Sequence, residues 1–325
     1  MKLYFNNRKM ISSIAVLLIF MVVLIFAMNK GKEKELHVIY IPKTQIGGND
    51  FWSSIRAGAE AAAKENNVQL EIFSPSDETH VEEQNQLIKE AVAMNPDAIV
   101  VSPASNTENN DALCMIKEAR IPLVYIDSTT DEKIADAIVA TDNVAAGKKM
   151  AEIMLGLLNQ DSKIAIVSHV KDSSTAMERE KGFRKGLLEY ESQITDVVYS
   201  NSIDEIGYRV TKELLEREPD INYLACLNED SAVGAAKAVK ELGLVNQIFI
   251  VGFDNSSDEI KRLEEGVFQA IVVQRAFTMG YFGIENAAKL AKGESVAEYL
   301  DSGSVLITKE NMYQDENQEL LFPFY

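Results

Sequence analysis

Short apolar runs alternate with amphipathic stretches from Leu36 almost to the carboxyl end of the chain. The first run, His37-Val38-Ile39-Tyr40-Ile41, is β-branched and aromatic. It shows no polar alternation, which is the pattern of a strand buried on both faces. Pro42 ends it, because proline offers no backbone donor to a ladder. Gly47-Gly48-Asn49-Asp50 is turn chemistry. Asn49 or Asp50 can cap a helix that opens at Phe51-Trp52 and continues through Ile55, Ala59 and Ala62-Ala63.

The same unit repeats. Further strands are expected at Val68–Phe73, Ala98–Val101, Pro122–Ile126, Lys163–Val167, Tyr223–Leu227, Ile248–Val251 and Ala270–Val273, with a further apolar run at Ala137–Ala140. Helices are expected at Val81–Met94, Asp111–Ala119, Asn143–Leu158, Thr175–Tyr190, Glu205–Glu216, Ser231–Leu242 and Thr278–Ala291. Val197–Tyr199 reads as extended. Strands alternating with helices predict an α/β fold of parallel sheets covered on both faces. There are too many units for one comfortable sheet, so two doubly wound sheets fit 325 residues better.

The amino terminus breaks this pattern. Ile11 to Met28 is a run of 18 residues interrupted only by Ser12 and Ser13, near the ~20 needed to span a bilayer. Lys2, Arg8 and Lys9 precede it, and Lys30, Lys32 and Lys34 follow. Its exit, Phe26-Ala27-Met28-Asn29, lacks the small-x-small cleavage pattern, and no cysteine stands there for lipid attachment. An uncleaved transmembrane anchor is favoured over a cleaved signal. Residues 1–35 are thus expected to be anchor and tether, with the long remainder on the extracytoplasmic side of the cell membrane.

Charge narrows the partners. The formal net charge is −18. It includes the three cations before the apolar run, so the rest is more acidic still. Such a body repels nucleic acid and gains nothing at an anionic membrane surface. A neutral or cationic ligand suits it. Cys114 falls in a helical pattern and Cys226 in a strand pattern, with no Cys-His cluster, so neither a disulfide nor a metal site is expected.

Polar residues gather after the strands. Asn49, Asp127, Asn228, Asp254 and Gln274 all stand at or just beyond the carboxyl end of an apolar run, the edge where open α/β sheets bind ligands. Each could instead be closing a turn or capping a helix. As a set they suit hydroxyl groups: a carboxylate accepts from adjacent hydroxyls, and an amide both donates and accepts. Phe51 and Trp52, the only tryptophan in the chain, could cover the C–H face of a sugar ring or serve only as core. Enzyme signatures are missing: no nucleophile elbow, Walker loop or dinucleotide fingerprint occurs. His169 is the one histidine at a strand's carboxyl end, without an obvious nucleophile beside it. Asp127 with Asp254 remains open as an acid/base pair. No cofactor is expected.

The residues also carry a resemblance. Phe51-Trp52 after the first loop, Pro122 to Asp127, Thr141-Asp142-Asn143 with Gly147, Arg179 before Gly182-Phe183, Asn228 ahead of Gly234, and Val251-Gly252-Phe253-Asp254 occur in an order that resembles the type I periplasmic sugar-binding proteins. Within these it is the ribose-binding group, whose fold is shared by LacI-type repressor cores. The resemblance spans roughly Leu36 to Ile307. It implies two Rossmann-like lobes joined by three crossing strands, with ligand in the cleft. One lobe would be 36–142 plus 275–303 and the other 143–274 plus 304–325. It carries ligand contacts to Asn49, Phe51, Trp52, Asp127, Asn228, Asp254 and Gln274. Three positions depart: Ser128 and Met177 stand where arginines are expected, and Ser202 where an aromatic is. Ser128 and Met177 remain candidate contacts at those places. Lys43, in Ile41-Pro42-Lys43, resembles a ligand-touching lysine in receptors for rhamnose or the furanosyl quorum signal; a solvated rim charge is its other reading.

The expected function is capture of a small neutral sugar and delivery to the permease of an ABC importer. The alternative is a receptor presenting its closed form to a membrane histidine kinase, and a hydrolase or isomerase is a third class. Asp127→Ala and Asp254→Ala are each expected to abolish ligand-induced stabilisation and to leave the apo melting point nearly unchanged.

Overall fold

A computed structural model describes residue 21, residues 34–45 and residues 50–322. The chain divides into Met1–Glu35 and Leu36–Tyr325. The apolar run Ile11–Met28 lies outside the described residues apart from Met21, as do Gly47, Gly48 and Asn49. Among the described residues no helix is long and apolar enough to cross a membrane.

The body holds two six-stranded sheets. The first contains β1 (Leu36–Ile41), β2 (Val68–Ile72), β3 (Ala98–Val101), β4 (Leu123–Ile126) and β5 (Ala137–Ala140), with β11 (Tyr299–Asp301) at the far edge. Its order is β2-β1-β3-β4-β5-β11, every pair parallel. The second contains β6 (Ile164–Ser168), β7 (Ile194–Tyr199), β8 (Tyr223–Cys226), β9 (Phe249–Phe253), β10 (Ala270–Gln274) and β12 (Ser304–Thr308). Its order is β7-β6-β8-β9-β10-β12, and only the β10–β12 pair is antiparallel.

The central strands are apolar and buried because both their faces are covered. In β1, Val38 and Tyr40 join one cluster with Ile55 and Ala59, and Ile39 and Ile41 join another with Ile88 and Leu113. In the second sheet Ile164 and Ile166 pack with Met150 and Phe183, and Ala165 and Val167 with Leu214 and Val239. Helices α1 (Asp50–Glu65) and α9 (Ala276–Ala291) lie on one face of the first sheet, with α2 (Val81–Ala93) and α3 (Asn110–Glu118) on the other. The second sheet is flanked by α4 (Asn143–Leu155) and α5 (Ser174–Gly186) on one side. On the other lie α6 (Asp204–Arg217), α7 (Glu229–Glu241), α8 (Ser257–Glu264) and α10 (Asp315–Leu321).

Close helix contact needs glycine. A Cβ on Gly58 of α1 would lie 2.0 Å from the Phe277 carbonyl oxygen, and one on Gly280 of α9 1.9 Å from that of Ile55. The chain passes between the sheets three times: between β5 and α4, at Arg275, and through Ser302–Gly303. In both sheets the order reverses beside the first strand, so loops at the carboxyl edge diverge there and leave a crevice.

Most expected elements appear, with ends moved by a few residues. The helix expected over 143–158 stops at Leu155, and the strand expected over 248–251 runs from Phe249 to Phe253. Four elements were not anticipated: β11, β12, α8 and α10. β11 is a three-residue edge strand whose terminal residues are exposed, and α8 is eight mostly polar residues. The readable mark of α8 is its capping box: Ser256 Oγ accepts from Glu259 N while Glu259 accepts from Ser256 N.

Candidate functional site

The carboxyl edges of the two sheets face each other across one small cavity of about 30 Å³, well under the roughly 300 Å³ at which ligand sites begin. It is lined by Lys43, Phe51, Trp52, Glu78 and Asp127 from the first sheet's side. From the other come His169, Thr175, Arg179, Asn228, Asp230, Asp254 and Gln274. A wider depression lies elsewhere, between α1 and β2, walled by the surface groups Arg56, Glu60 and Lys64. It lacks the convergent buried polar groups of a specific site.

The two strand-end aspartates occupy matching places. Asp127 follows β4 with φ 69°, and Asp254 follows β9 with φ 86°. Asp127 N donates to Val139 O at 3.0 Å and Asp254 N to Val272 O at 2.8 Å. Aspartate tolerates the left-handed region better than most residues, yet such backbone costs of order 1 kcal/mol or more. Finding it twice, at the same point of both sheets and at a cavity, points to a functional constraint.

Lys43, carried in by Pro42 after β1, is fully buried and sits 2.9 Å from Asp127 Oδ2. Its ammonium also donates to Ser173 Oγ at 3.3 Å and Thr175 Oγ1 at 3.4 Å. It is no rim charge. Thr175 Oγ1 lies 3.0 Å from His169 Nε2, while His169 Nδ1 has no partner. Burial, with Arg179 and Lys43 nearby, holds His169 well below its ordinary value, so it is neutral near pH 7. Arg179 is held by Asn143 Oδ1 (2.8 Å) and Leu227 O (2.7 Å), and its guanidinium stacks 3.8 Å above the Phe253 ring.

Gln274, at the end of β10, donates Nε2 to Asp254 Oδ1 at 2.7 Å, leaving its buried Oε1 without a partner. Asn228 caps α7 through Oδ1 to Ser231 N (3.0 Å), and its Nδ2 reaches Ser202 Oγ and Asp230 Oδ2. Capping is therefore part of what Asn228 does. Phe51 and Trp52 are buried, edge to face, with ring centroids 5.2 Å apart. The pair joins the core of the first sheet and also lines the cavity. Trp52 Nε1 donates to Glu78 Oε1 at 3.2 Å.

Acids crowd the side formed by α7. Burial first, then Asp254, Asp230 and Asp50, push Glu229 up to about 9. Burial, then Glu78, Asp204 and Asp254, push Asp230 up to about 8. Asp254 is also raised by burial, against the opposing pull of Arg179 and Gln274.

Hydrogen bonds seal the rim across the gap. Phe51 N donates to Glu229 Oε2 (3.4 Å), Ser202 Oγ to Glu78 Oε2 (2.7 Å), Ser257 N to Asp50 Oδ2 (3.1 Å) and Thr129 N to Ser174 Oγ (2.9 Å). Asn106 N donates to Asp172 O at 2.8 Å, and the hydroxyls of Ser105 and Thr107 donate to the Asp172 carboxylate.

Of the ten residues expected at the site, Lys43, Phe51, Trp52, Asp127, Asn228, Asp254 and Gln274 share this cavity. Asn49 lies outside the described residues. Ser128 turns away, donating to Pro103 O at 2.8 Å, and Met177 is 46% exposed on α5. Neither lines the cavity. Sequence reasoning missed Glu78, Thr175, Arg179 and Asp230 as lining residues and gave His169 no role. Arg179 and Asp230 had a signal, the first in its motif before Gly182-Phe183 and the second two residues after Asn228. Glu78 had none, since the loop after β2 carries no strand-end pattern.

Residues 40–295 match the family described as periplasmic binding protein domain. The chain is 25% identical over 285 residues to the ribose import binding protein of Bacillus subtilis, covering 87% of this chain and 90% of that one. Among solved structures, a sugar transporter from Clostridium phytofermentans is 42% identical, with a TM-score of 0.80 over 84% of this chain and 99% of its own. An ABC transporter solute-binding protein from Agrobacterium vitis with bound D-fucose is 30% identical, with a TM-score of 0.82 over 88% of this chain and 99% of its own.

Proposed function

The chain belongs to the periplasmic binding protein domain family, and on that premise we propose that it captures a small sugar or polyol between its two lobes and hands the closed form to the permease of an ABC importer. The observation that carries this reading is the shared cavity, lined from both sheets by amide, acid, cationic and aromatic side chains and roofed by hydrogen bonds across the gap. Gln274 Oε1 and His169 Nδ1, buried without partners, would be satisfied by ligand, because buried polar atoms are otherwise nearly always paired. Phe51 and Trp52 would cover the ring's C–H face, with Asp127, Asn228, Asp254 and Gln274 gripping its hydroxyls. Asn49 would join them. The relatives' names and the bound D-fucose support a sugar.

The lobes would be 36–142 plus 275–303 and 143–274 plus 304–325, hinged at the three crossings. Ile11–Met28 would anchor the binding domain outside the membrane. Binding without turnover is the proposal, and Asp127 and Asp254 fit it: the first is neutralised by Lys43 and the second held by Gln274. An anchor without a lipid-attachment cysteine equally suits presentation to a membrane histidine kinase.

A thermal-shift screen of monosaccharides and polyols on the purified full chain tests this reading. At a hundredfold excess over Kd a ligand adds about 2.7 kcal/mol of stability. At least one sugar should raise the melting point in that way and be recovered unchanged. A panel without effect, or conversion of the bound sugar to product, would refute the reading.

A further inference from the structure

Outside the cavity, the loop after β3 that carries Ser105, Asn106 and Thr107 meets the turn after β6 that carries Asp172. None of these residues lines the cavity. Asn106 N donates to Asp172 O at 2.8 Å, and the hydroxyls of Ser105 and Thr107 both donate to Asp172 Oδ2. The first side holds its part of this contact ready. Ser105 is buried, and its Oγ accepts from Thr107 N at 3.2 Å and from Glu108 N at 2.9 Å. A serine hydroxyl has two acceptor sites and one proton. Both acceptor sites are filled from within the loop, so the proton is left for a partner outside it, and Asp172 is that partner. The loop is also tied to its own side: Ser105 N donates to Asn109 Oδ1 at 2.8 Å, and Asn106 O accepts from Asp131 N at 2.9 Å. A loop fixed in advance loses little freedom when it grips.

On the second side, Asp172 belongs to the turn that leads into the site. Ser173 N closes that turn on Val170 O at 3.0 Å. The hydroxyls of Ser173 and Thr175 then take the ammonium of Lys43 across the gap, and Thr175 Oγ1 meets His169. Asp172 is therefore joined through a short, bonded turn to groups that face the guest, without facing it. Drawing Asp172 onto Ser105 brings Ser173 and Thr175 to Lys43.

We propose that Asp172 is a latch: by gripping Ser105 and Thr107 it holds the closed form and sets how long a captured sugar stays, without touching the sugar. This rests on the capture reading above and adds to it the residue that governs release. Hydrogen bonds to a carboxylate are among the stronger ones. These form only when the two sides meet, so they stabilise the closed complex and not the open protein. Contacts of that kind act on escape from the complex and leave the encounter alone. Part of the affinity is thus held at the rim, where it is independent of the sugar's own pattern of hydroxyls.

The test is stopped-flow kinetics of the full chain, parent against Asp172→Ala, with a sugar that raises the parent's melting point. Dissociation should be faster and Kd higher by about tenfold, the weight of one hydrogen bond to a charged group, with the association rate unchanged. The apo melting point should not move, because the latch is unmade in the open form. Amide hydrogen exchange of the sugar-saturated protein separates a latch from a structural residue, since it reports opening place by place. The amides of Thr129 and Ser257, whose acceptors Ser174 Oγ and Asp50 Oδ2 lie across the gap, should exchange faster in the variant. Those of Val100 and Ile166, in buried central strands, should not. Thr107→Val removes one hydroxyl and keeps the shape; it should raise Kd by a smaller factor alone and add nothing in the Asp172→Ala background. If sugar leaves Asp172→Ala as slowly as the parent, the latch falls and the capture reading stands. Loss of apo stability together with faster exchange of the strand amides also overturns it, by making Asp172 a support of the fold. If the parent binds no sugar, both readings fall together.

Discussion

Replacing Asp127 with alanine would leave the ammonium of Lys43 buried without its counter-charge. The sequence alone led to the expectation of an unchanged apo melting point, because Asp127 read as a ligand contact only. The ion pair revises that. Breaking one partner of a buried pair costs about 3–5 kcal/mol, so Asp127→Ala should lower apo stability by roughly that much in chemical denaturation. Adding Lys43→Met to it should recover a large part. A single variant as stable as the parent would mean that Lys43 reaches water. The acids beside α7 give a second expectation. Glu229 and Asp230 have folded-state values near 9 and 8, above those of exposed carboxyls. The native state therefore holds more protons than the unfolded state from about pH 4 up to about 8 for Asp230 and about 9 for Glu229, and stability falls as pH rises through that window. Above pH 7 His169 is neutral folded and unfolded, so the acids dominate. Apo stability should drop from pH 7 to 8.5 by up to about 1.4 kcal/mol per unit for each group, and Glu229→Gln should flatten the curve. At this scale the strand-end residues were legible because strand ends announce themselves in sequence. Lys43's partner and the inward turn of Glu78 were not, since both depend on which loops meet across the gap.

The helices that carry the site are set by glycines. α1 delivers Phe51 and Trp52 only if it lies against α9, and Gly58 and Gly280 permit that approach. Gly280→Ala should force the pair apart and cost about 1–3 kcal/mol. Gly156→Ala, at the end of α4 with φ −68° and open space around it, should be neutral or stabilise by about 0.4–1 kcal/mol. Urea denaturation of the two variants distinguishes a packing requirement from a general penalty on glycine replacement. Periodicity sufficed to read the buried parallel strands, because a run such as Ile39-Tyr40-Ile41 has one physical use. It failed at β11 and β12, whose edge positions need no continuous apolar pattern. It also failed at α8 and α10, where short polar helices lean on caps and neighbours rather than on an apolar face of their own.

At the scale of the molecule, two halves of like construction close on one hollow, and each supplies groups the other lacks. The first side brings the aromatic pair and Lys43; the second brings Arg179, Asn228, Asp254 and Gln274. The bonds from Asp50, Glu78, Ser105 and Thr129 to the opposite side can form only when the halves meet. On the proposed reading, ligand that bridges them would shift the population toward this closed form. A chain with a single tryptophan at that junction reports on itself, because Trp52 both lines the cavity and is bonded to Glu78 beneath the rim. The most direct measurement is therefore the fluorescence of Trp52 during titration with a sugar that raises the melting point. Saturable change at one sugar per chain, with loss of quenching by acrylamide, is the predicted result. A sugar that stabilises the protein while leaving both the emission and the quenching of Trp52 untouched would contradict it.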